Sequence, residues 1–257
     1  TSKSYMWVFR RGDPHRPAII YQYHPTRAGD VARTFLGDFK GVIQTDGYSG
    51  YDFLDHREEV RHAGCLAHVR RKFMDLIKAQ GKNHPSGSAD QALAYIQQLY
   101  GLEKQARQRE LSTEEILTMR REQARPIMEQ FHQWLCKRSS QTPPKGLLGK
   151  AISYTLNQWD RLQVYLEEPL LTPDNNPAEN AIRPFVVGRK AWLFSDTQAG
   201  ARASALIYSL VETTKANGME PYLWLRNALR ALPTATTVEH FEALLPWNLK
   251  AEHLITA

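Results

Sequence analysis

The stretch at residues 174–194, DNNPAENAIRPFVVGRKAWLF, carries a clear signal for the start of a helix. Residues 174–176 are all of types that favour the N-cap position. Pro177 suits the first helical turn because it has no N–H group to leave unpaired. Glu179 then falls in that first turn, where the helix dipole favours a carboxylate. The stretch therefore predicts a short helix that presents an acidic side chain.

Basic and aromatic residues follow this acid. Arg183 lies four residues after Glu179, which predicts a position on the same helix face, and Pro184 is expected to interrupt or end the helix. Arg189 and Lys190 come next, followed by Trp192. An acid beside cationic and aromatic groups suits metal-assisted chemistry on a phosphate backbone. A well-capped surface helix explains the same residues, and both interpretations stay open at this point.

The composition describes an ordinary globular protein with a basic bias. The chain has 257 residues, a net charge of +6 and a pI of about 9.3. This balance favours a polyanionic partner.

Two distant cysteines, Cys65 and Cys136, and no signal-peptide pattern indicate a reducing cytoplasm. No apolar run approaches the ~20 residues that span a bilayer, so no membrane partner is expected. The chain begins at Thr1 close to a strand pattern, which is typical of a fragment.

The first quarter of the chain has alternating strand and helix patterns. Ala28 to Phe39 has helical spacing, and Gly41 to Thr45 is a short, nearly apolar strand. Strand patterns lie on either side, at Tyr5–Arg10, at Ala18–Tyr23 (which is expected to form a hairpin with the first) and at Val60–Ala67. This order predicts an α/β fold, with one sheet that starts antiparallel.

The middle third is predicted to be all helical. Between about His68 and Leu171 almost no strand pattern occurs, and Pro126 is expected to kink or break a helix. The predicted helices there and beyond are Ala89–Ala106, Thr113–Lys137, Gly146–Glu167, Ala199–Lys215, Pro221–Leu232 and Val238–Leu245. The predicted organisation is a first core part (1–72), an all-α insertion (73–168), a second core part (169–218) and a C-terminal helical extension (219–257).

Asp46 directly follows a buried strand, which is where α/β folds place their active sites. A turn aspartate is the plain alternative. If the fold brings Asp46 beside Glu179, the two carboxylates suit Mg²⁺, which prefers a few carboxylates plus water and phosphate oxygens. Two acids are few for two metal ions, so a third should exist. Asp13 is poorly placed for this role because it lies in the predicted hairpin turn.

A second candidate cluster begins at Cys65. Cys65 and His68 have the spacing of half a zinc site, but no matching second pair follows. Arg70, Arg71 and Lys72 come next, so His68 could start a helix that faces DNA phosphate. A solvated basic face explains these residues equally well.

Several stretches, in this order, resemble transposases of the insertion sequence 66 family. The matching stretches are 5–8 (YMWV), 44–51 (QTDGYSGY), 63–73 (AGCLAHVRRKF), 174–179 (DNNPAE), 188–194 (GRKAWLF), 207–210 (IYSL) and 244–247 (LLPW). The resemblance implies a ribonuclease H-like core of the DDE type, a mixed sheet flanked by helices and interrupted by an all-α insertion, with short C-terminal helices. It implies a DNA transposase that uses Mg²⁺ or Mn²⁺ to cleave and transfer strands at insertion-sequence ends.

The resemblance also implies partners and a location. The implied partners are transposon-end and target DNA, further copies of the chain in a homo-oligomer, and helper proteins from the same element. The implied location is the bacterial cytoplasm, in association with the nucleoid.

Residue by residue, the resemblance makes Asp46 the second catalytic aspartate and Glu179 the catalytic glutamate, and both are expected metal ligands. The expected near-site residues are Cys65, Asp174 and Asn175, with Cys65 and His68 matching a C-x-x-H signature. The expected DNA-binding residues are His68, Arg70, Arg71, Lys72, Arg183, Arg189, Lys190 and Trp192, the last stacking on a base. The family's first catalytic aspartate lies in an Asp-Glu-Thr motif before the strand at residue 5. The chain starts after that motif, so it is expected to be inactive by itself.

Three other functions fit the same residues. The chain could be a non-catalytic DNA-binding remnant or regulator derived from a transposase. It could be a ribonuclease H-type nuclease, which would hydrolyse DNA without strand transfer. It could also be a structural remnant with no activity.

Overall fold

The computed structural model describes residues 4–13, 15–81, 86–192 and 195–249, with the side chain of Trp192 outside the description. The fold is mixed α/β and mostly helical (64%), with small sheets. The strands are β1 Tyr5–Arg10, β2 Ile19–His24, β3 Gly41–Gln44 and β4 Val60–Ala63. The α-helices are α1 Asp30–Leu36, α2 Leu66–Gln80, α3 Ser88–Gln108, α4 Thr113–Met119, α5 Arg125–Ser139, α6 Leu147–Asn157, α7 Trp159–Gln163, α8 Asn176–Ala181, α9 Arg183–Trp192, α10 Gln198–Ala216, α11 Pro221–Ala231 and α12 Val238–Ala243. Short 3₁₀ helices cover Ser49–His56, Val164–Glu167 and Leu232–Thr234, and a π-helical turn covers Arg120–Ala124.

The chain forms two compact units. The first unit combines the residues through Arg27 with those from Pro177 onward, and the second is Ala28–Asn176. The four-part division expected from the sequence stays a prediction.

In the first unit, β1 and β2 form the predicted antiparallel hairpin, with Tyr5 opposite His24 and Arg10 opposite Ile19. Asp13 lies in the turn as expected, where it accepts a hydrogen bond from the His15 N–H group at 2.9 Å. Local strand patterning was therefore sufficient to predict this element.

Helix α10 closes the outer edge of β2. Ser209 and Thr213 accept hydrogen bonds from the backbone N–H groups of Tyr21 (2.8 Å) and Ile19 (2.9 Å). Asn217 donates from its side chain to the carbonyl of Pro17 at 2.9 Å. The three polar residues recur every four positions, so they form one stripe along the helix. They satisfy backbone groups that a neighbouring strand would otherwise satisfy.

In the second unit, β3 and β4 pair in parallel, with Gly41 opposite Val60 and Gln44 opposite Ala63. Among the described residues, the strands pair as two two-stranded sheets, one in each unit, and the single sheet expected from the sequence stays a prediction. Strand patterns report that a segment is extended, but they do not report its partner.

The predicted all-helical region packs around one core in the second unit. Phe73, Ile96, Phe131 and Ile152 are fully buried in that core. The predicted irregularity near Pro126 is a π-helical turn at Arg120–Ala124, and the proline itself lies in the first turn of α5, where its missing N–H is harmless.

The long helix predicted at Gly146–Glu167 is interrupted. It divides into α6, α7 and a 3₁₀ helix, with the break at Gln158. No helix among the described residues is long and apolar enough to cross a membrane.

Candidate active site

Asp46 lies just beyond the end of β3, as the sequence predicted. Its side chain is half-buried, and Oδ1 accepts a hydrogen bond from the Tyr48 N–H group at 3.0 Å. This turn fixes the carboxylate against its own loop. A Cβ atom at Gly47 would overlap the Tyr154 hydroxyl of α6, so a larger residue there would have to displace the Tyr154 side chain. The loop therefore presents an acid in a defined position.

A chain of hydrogen bonds supports the backbone at Asp46. The Thr45 hydroxyl lies 2.8 Å from the Asp46 carbonyl oxygen and 2.7 Å from His62 Nε2. His62 Nδ1 lies 2.7 Å from Asp55 Oδ1, and Arg161 Nε donates to the same oxygen at 3.1 Å. Thr45 and His62 are buried. The network joins β3, β4 and α7 directly behind the acid.

Burial and hydrogen bonding act in opposite directions on the pKa values of His62 and Asp55. Burial lowers the pKa of His62 below its usual 6.5, although the hydrogen bond to Asp55 acts in the opposite direction. Burial alone would raise the pKa of Asp55, but hydrogen bonds from Arg161 and His62 outweigh it and lower the pKa. Burial therefore favours the neutral form of the His62 imidazole.

This arrangement predicts a pH-dependent stability. Because the folded protein binds the His62 proton less tightly than the unfolded chain, the free energy of unfolding should fall as pH drops through the window just below 6.5. The contribution of Asp55 is lost only at pH values below its usual 3.8. Urea unfolding at about pH 7.5 and about pH 5.5 should show a smaller pH effect in His62→Asn than in the wild type. His56→Asn, at an exposed histidine, is the control; an equal pH effect in all three proteins would contradict the prediction.

The segment that leads to Glu179 packs against the ends of both parallel strands. The Gln44 side chain donates to the carbonyls of Gly64 (3.1 Å) and Thr172 (2.8 Å). The Leu66 N–H group donates to the carbonyl of Pro173 at 2.9 Å. The strand that precedes Asp46 is thus joined by one side chain to the segment that precedes Glu179.

Cys65 and His68 lie at the start of α2, which begins at Leu66. Cys65 is buried, and burial raises the pKa of its thiol. Its Sγ accepts a hydrogen bond from the Asn175 N–H group at 3.2 Å. Cys65 and Asn175, two of the expected near-site residues, are therefore in direct contact.

Glu179 lies in the first turn of α8, as the N-cap signals predicted. Asp174 is the residue that prepares this helix, since its Oδ1 accepts a hydrogen bond from the Asn176 N–H group at 3.0 Å. The expected shared face with Arg183 was wrong, because α8 ends at Ala181 and Arg183 begins α9.

The predicted interruption of this helix near Pro184 is confirmed, because α8 ends at Ala181 and a new helix begins at Arg183. Pro184 is the second residue of α9, where its missing N–H group leaves no helical hydrogen bond unmade.

The two candidate acids belong to different units. Asp46 lies in the second compact unit and Glu179 in the first.

The predicted DNA-binding residues lie on two helices. Of these predicted residues, three are exposed on α2 (Arg70, Arg71 and Lys72) and three are exposed on α9 (Arg183, Arg189 and Lys190). The Lys72 ammonium lies 5.2 Å from the centre of the Tyr154 ring. The stacking role predicted for Trp192 falls on a side chain outside the described residues.

Comparison with known proteins identifies the chain's relatives. Residues 1–203 match the family model described as "Transposase IS66 family", and residues 209–247 match the "IS66 C-terminal element". The chain belongs to the IS66 transposase family. The resemblance found in the sequence is confirmed, and at family level it implies a DDE-type enzyme that processes nucleic acid.

Relatives of this IS66-family chain include three uncharacterized proteins of Sinorhizobium fredii (strain NBRC 101917 / NGR234). Protein y4jD is 33% identical over 94% of the chain and 47% of its own length, and y4qI is 31% identical over 98% of the chain and 48% of its own length. Protein y4hP is 30% identical over 91% of the chain and 44% of its own length. The chain thus spans about half the length of these relatives. No solved structure matches it.

Several residues that shape the site of this IS66-family chain were missed by sequence reasoning. Gln44, His62, Tyr100 and Arg120 each make specific buried or half-buried hydrogen bonds close to the site segments. Tyr100 and Arg120 fall inside the predicted helices Ala89–Ala106 and Thr113–Lys137. A single polar side chain that bonds to a residue far away in the chain leaves no periodic signal in the sequence.

Proposed function

We propose that this chain is the catalytic core portion of a DNA transposase that cleaves and joins strands at insertion-sequence ends. The observation that carries the proposal is Asp46, a half-buried carboxylate held by its own turn just past a strand end, in a chain that belongs to the IS66 transposase family. The proposed core is ribonuclease H-like. The antiparallel pair β1–β2, the parallel pair β3–β4 and the helical region before Glu179 support this fold.

The donor set fits the proposed metal. Asp46 and Glu179 offer hard carboxylate oxygens, which suit Mg²⁺ or Mn²⁺. Oδ1 of Asp46 accepts a hydrogen bond from the backbone, which orients the carboxylate and leaves Oδ2 available to a metal ion. When bound, the metal supplies Lewis acidity and lowers the pKa of an attacking water. The buried thiol of Cys65 instead keeps a neutral form and accepts the Asn175 N–H, so we propose a supporting role for it.

The chain's own residues would prepare the substrate. Arg70, Arg71 and Lys72 on α2, and the basic residues of α9, would bind phosphates and hold the DNA in register. The scissile phosphate would then meet the two carboxylates, with water attacking first and the freed 3′-hydroxyl attacking target DNA next. The third carboxylate of a DDE site is proposed to come from the family's Asp-Glu-Thr motif, so cleavage is to be tested in a longer parent protein that carries it.

A nicking assay on labelled insertion-sequence ends tests the proposal. The parent should cut only with Mg²⁺ or Mn²⁺ and should then transfer the 3′ end to target DNA. Hydrolysis without transfer would favour a ribonuclease H-type nuclease. Salt-sensitive DNA binding without any cutting would favour a non-catalytic DNA-binding regulator, the second candidate, which the exposed basic residues of α2 and α9 support. A cytoplasmic, nucleoid-associated homo-oligomer is part of the proposal.

Removing two charges from α2 should weaken DNA binding in a measurable way. The double variant Arg70→Gln/Arg71→Gln loses two proposed phosphate contacts, so the slope of log K against log salt should become shallower by about two. Fluorescence anisotropy across a salt series measures this slope. Arg107→Gln/Arg109→Gln removes the same charge from exposed residues at the end of α3 and should leave the slope nearly unchanged. Equal slopes for both double variants would show that α2 does not contact DNA.

A further inference from the structure

The carboxylate of Asp174 has two different partners. Oδ1 accepts the Asn176 N–H group at the start of α8, and Oδ2 accepts the Tyr100 hydroxyl at 2.7 Å. Asp174 is only 6% exposed, so its charge needs such donors in place of water. Burial raises the pKa of Tyr100, and the Asp174 carboxylate raises it further, which keeps the hydroxyl protonated as a donor. One side chain thus joins the first residue of α8 to helix α3.

A second anchor lies just upstream and is formed by Arg120. This side chain is 1% exposed and forms a two-pronged ion pair with Glu103 of α3, with Nε–Oε1 at 2.8 Å and Nη2–Oε2 at 2.9 Å. The guanidinium also donates to the carbonyls of Tyr165 (2.6 Å), Glu168 (2.9 Å) and Leu171 (2.8 Å). All five of its N–H donors are therefore used. Three of them satisfy carbonyls in and after the 3₁₀ helix, where a helix end leaves such groups without partners.

The residues between the two anchors are also fixed. Gln44 holds the carbonyl of Thr172, and Cys65 accepts the Asn175 N–H group. Together with the bond to Pro173, every residue from Leu171 to Asn175 has a hydrogen bond to another element of the same unit. A segment held at each residue has one conformation, which suits the positioning of whatever follows it.

We infer that the helices α2 to α7 of the second unit (the helical module) fix the start of α8, with Tyr100 and Arg120 as positioning residues that hold residues 165–175, directly before the helix that carries the proposed catalytic glutamate. Neither residue needs to touch DNA or metal. Glu179 follows Asn176 by three residues on a six-residue helix, so an error in the start of α8 is carried directly to its carboxylate. The relevance to catalysis rests on the proposed function, whereas the anchoring of α8 does not.

Amide hydrogen exchange on the 257-residue chain tests the anchor. Tyr100→Phe removes one hydroxyl and keeps the ring, so exchange at residues 176–181 should become about tenfold to a hundredfold faster, as for the loss of a hydrogen bond to a charged group. Exchange in α2 and α5 should not change. Tyr95→Phe is the matched control, because it removes a hydroxyl from the same helix and its ring packs against Phe131. Unchanged exchange at 176–181 in Tyr100→Phe, or an equal effect in the control, would overturn the inference.

Kinetics in the longer parent protein test positioning as distinct from folding. Tyr100→Phe should lower the single-turnover rate of metal-dependent cleavage about tenfold while DNA affinity stays within about twofold, because the variant alters geometry and leaves the DNA contacts in place. Faster exchange with an unchanged cleavage rate would overturn the positioning role. A wild-type parent that never cuts DNA would instead remove the proposed function, and the exchange data would still decide whether Tyr100 anchors α8.

Discussion

Replacing Glu179 with glutamine should abolish metal-dependent cleavage of insertion-sequence ends in a parent protein that carries the family's first aspartate. Glutamine keeps the size of the side chain but removes the negative charge that would hold the metal. The loss should be about 10³-fold or more, which corresponds to the several kcal/mol of transition-state stabilisation that a bound metal supplies. DNA binding should be equal or slightly tighter, since one repulsive charge near the phosphates is gone.

Two further variants make this result specific. Asp46→Asn should cause a similar loss, and its side-chain oxygen can still accept the Tyr48 N–H group, so the loop should keep its conformation. Glu129→Gln, at an exposed glutamate of α5 that has no proposed role in the site, removes the same charge and should cleave like the wild type. The assay is single-turnover nicking of a labelled end with Mg²⁺ or Mn²⁺, with affinity measured in parallel. If Glu179→Gln still cuts the ends, the assignment of Glu179 is wrong.

The elements that sequence patterns predicted well are those with strong local chemistry. The hairpin β1–β2 has β-branched and aromatic residues on both sides of a Gly-containing turn, and its observed strands differ from the expected ones by one residue at most. The strand before Asp46 and the N-cap before Glu179 are equally local signals. The two proposed catalytic acids were therefore found from sequence because each one adjoins a well-marked boundary.

The contacts that support those acids could not be predicted, because they join residues that are far apart in the chain. Gln44 bonds to the carbonyl of Thr172, 128 positions away, and Tyr100 bonds to Asp174, 74 positions away. Neither residue breaks the pattern of its own strand or helix. Strand pairing is non-local in the same way, since the pattern of one strand does not identify the strand that pairs with it.

Replacing Arg120 should cause a large loss of stability in the helical module. Arg120→Met should lower the free energy of unfolding by about 3–5 kcal/mol, because it leaves the Glu103 carboxylate buried without its ion-pair partner. It also leaves the carbonyls of Tyr165, Glu168 and Leu171 without this donor. Urea unfolding followed by tryptophan fluorescence measures the loss, since Trp159 is buried in the same core.

The neighbouring arginine provides the control for this measurement. Arg121→Met makes the same substitution at an exposed residue of the same π-helical turn and should change the unfolding free energy by no more than about 0.5 kcal/mol. The double variant Arg120→Met/Glu103→Leu removes the buried charge as well, so it should recover part of the lost stability. It should not recover all of it, because the three carbonyls still lack their donor. A loss below about 1 kcal/mol in Arg120→Met would show that the ion pair is not a structural centre of the module.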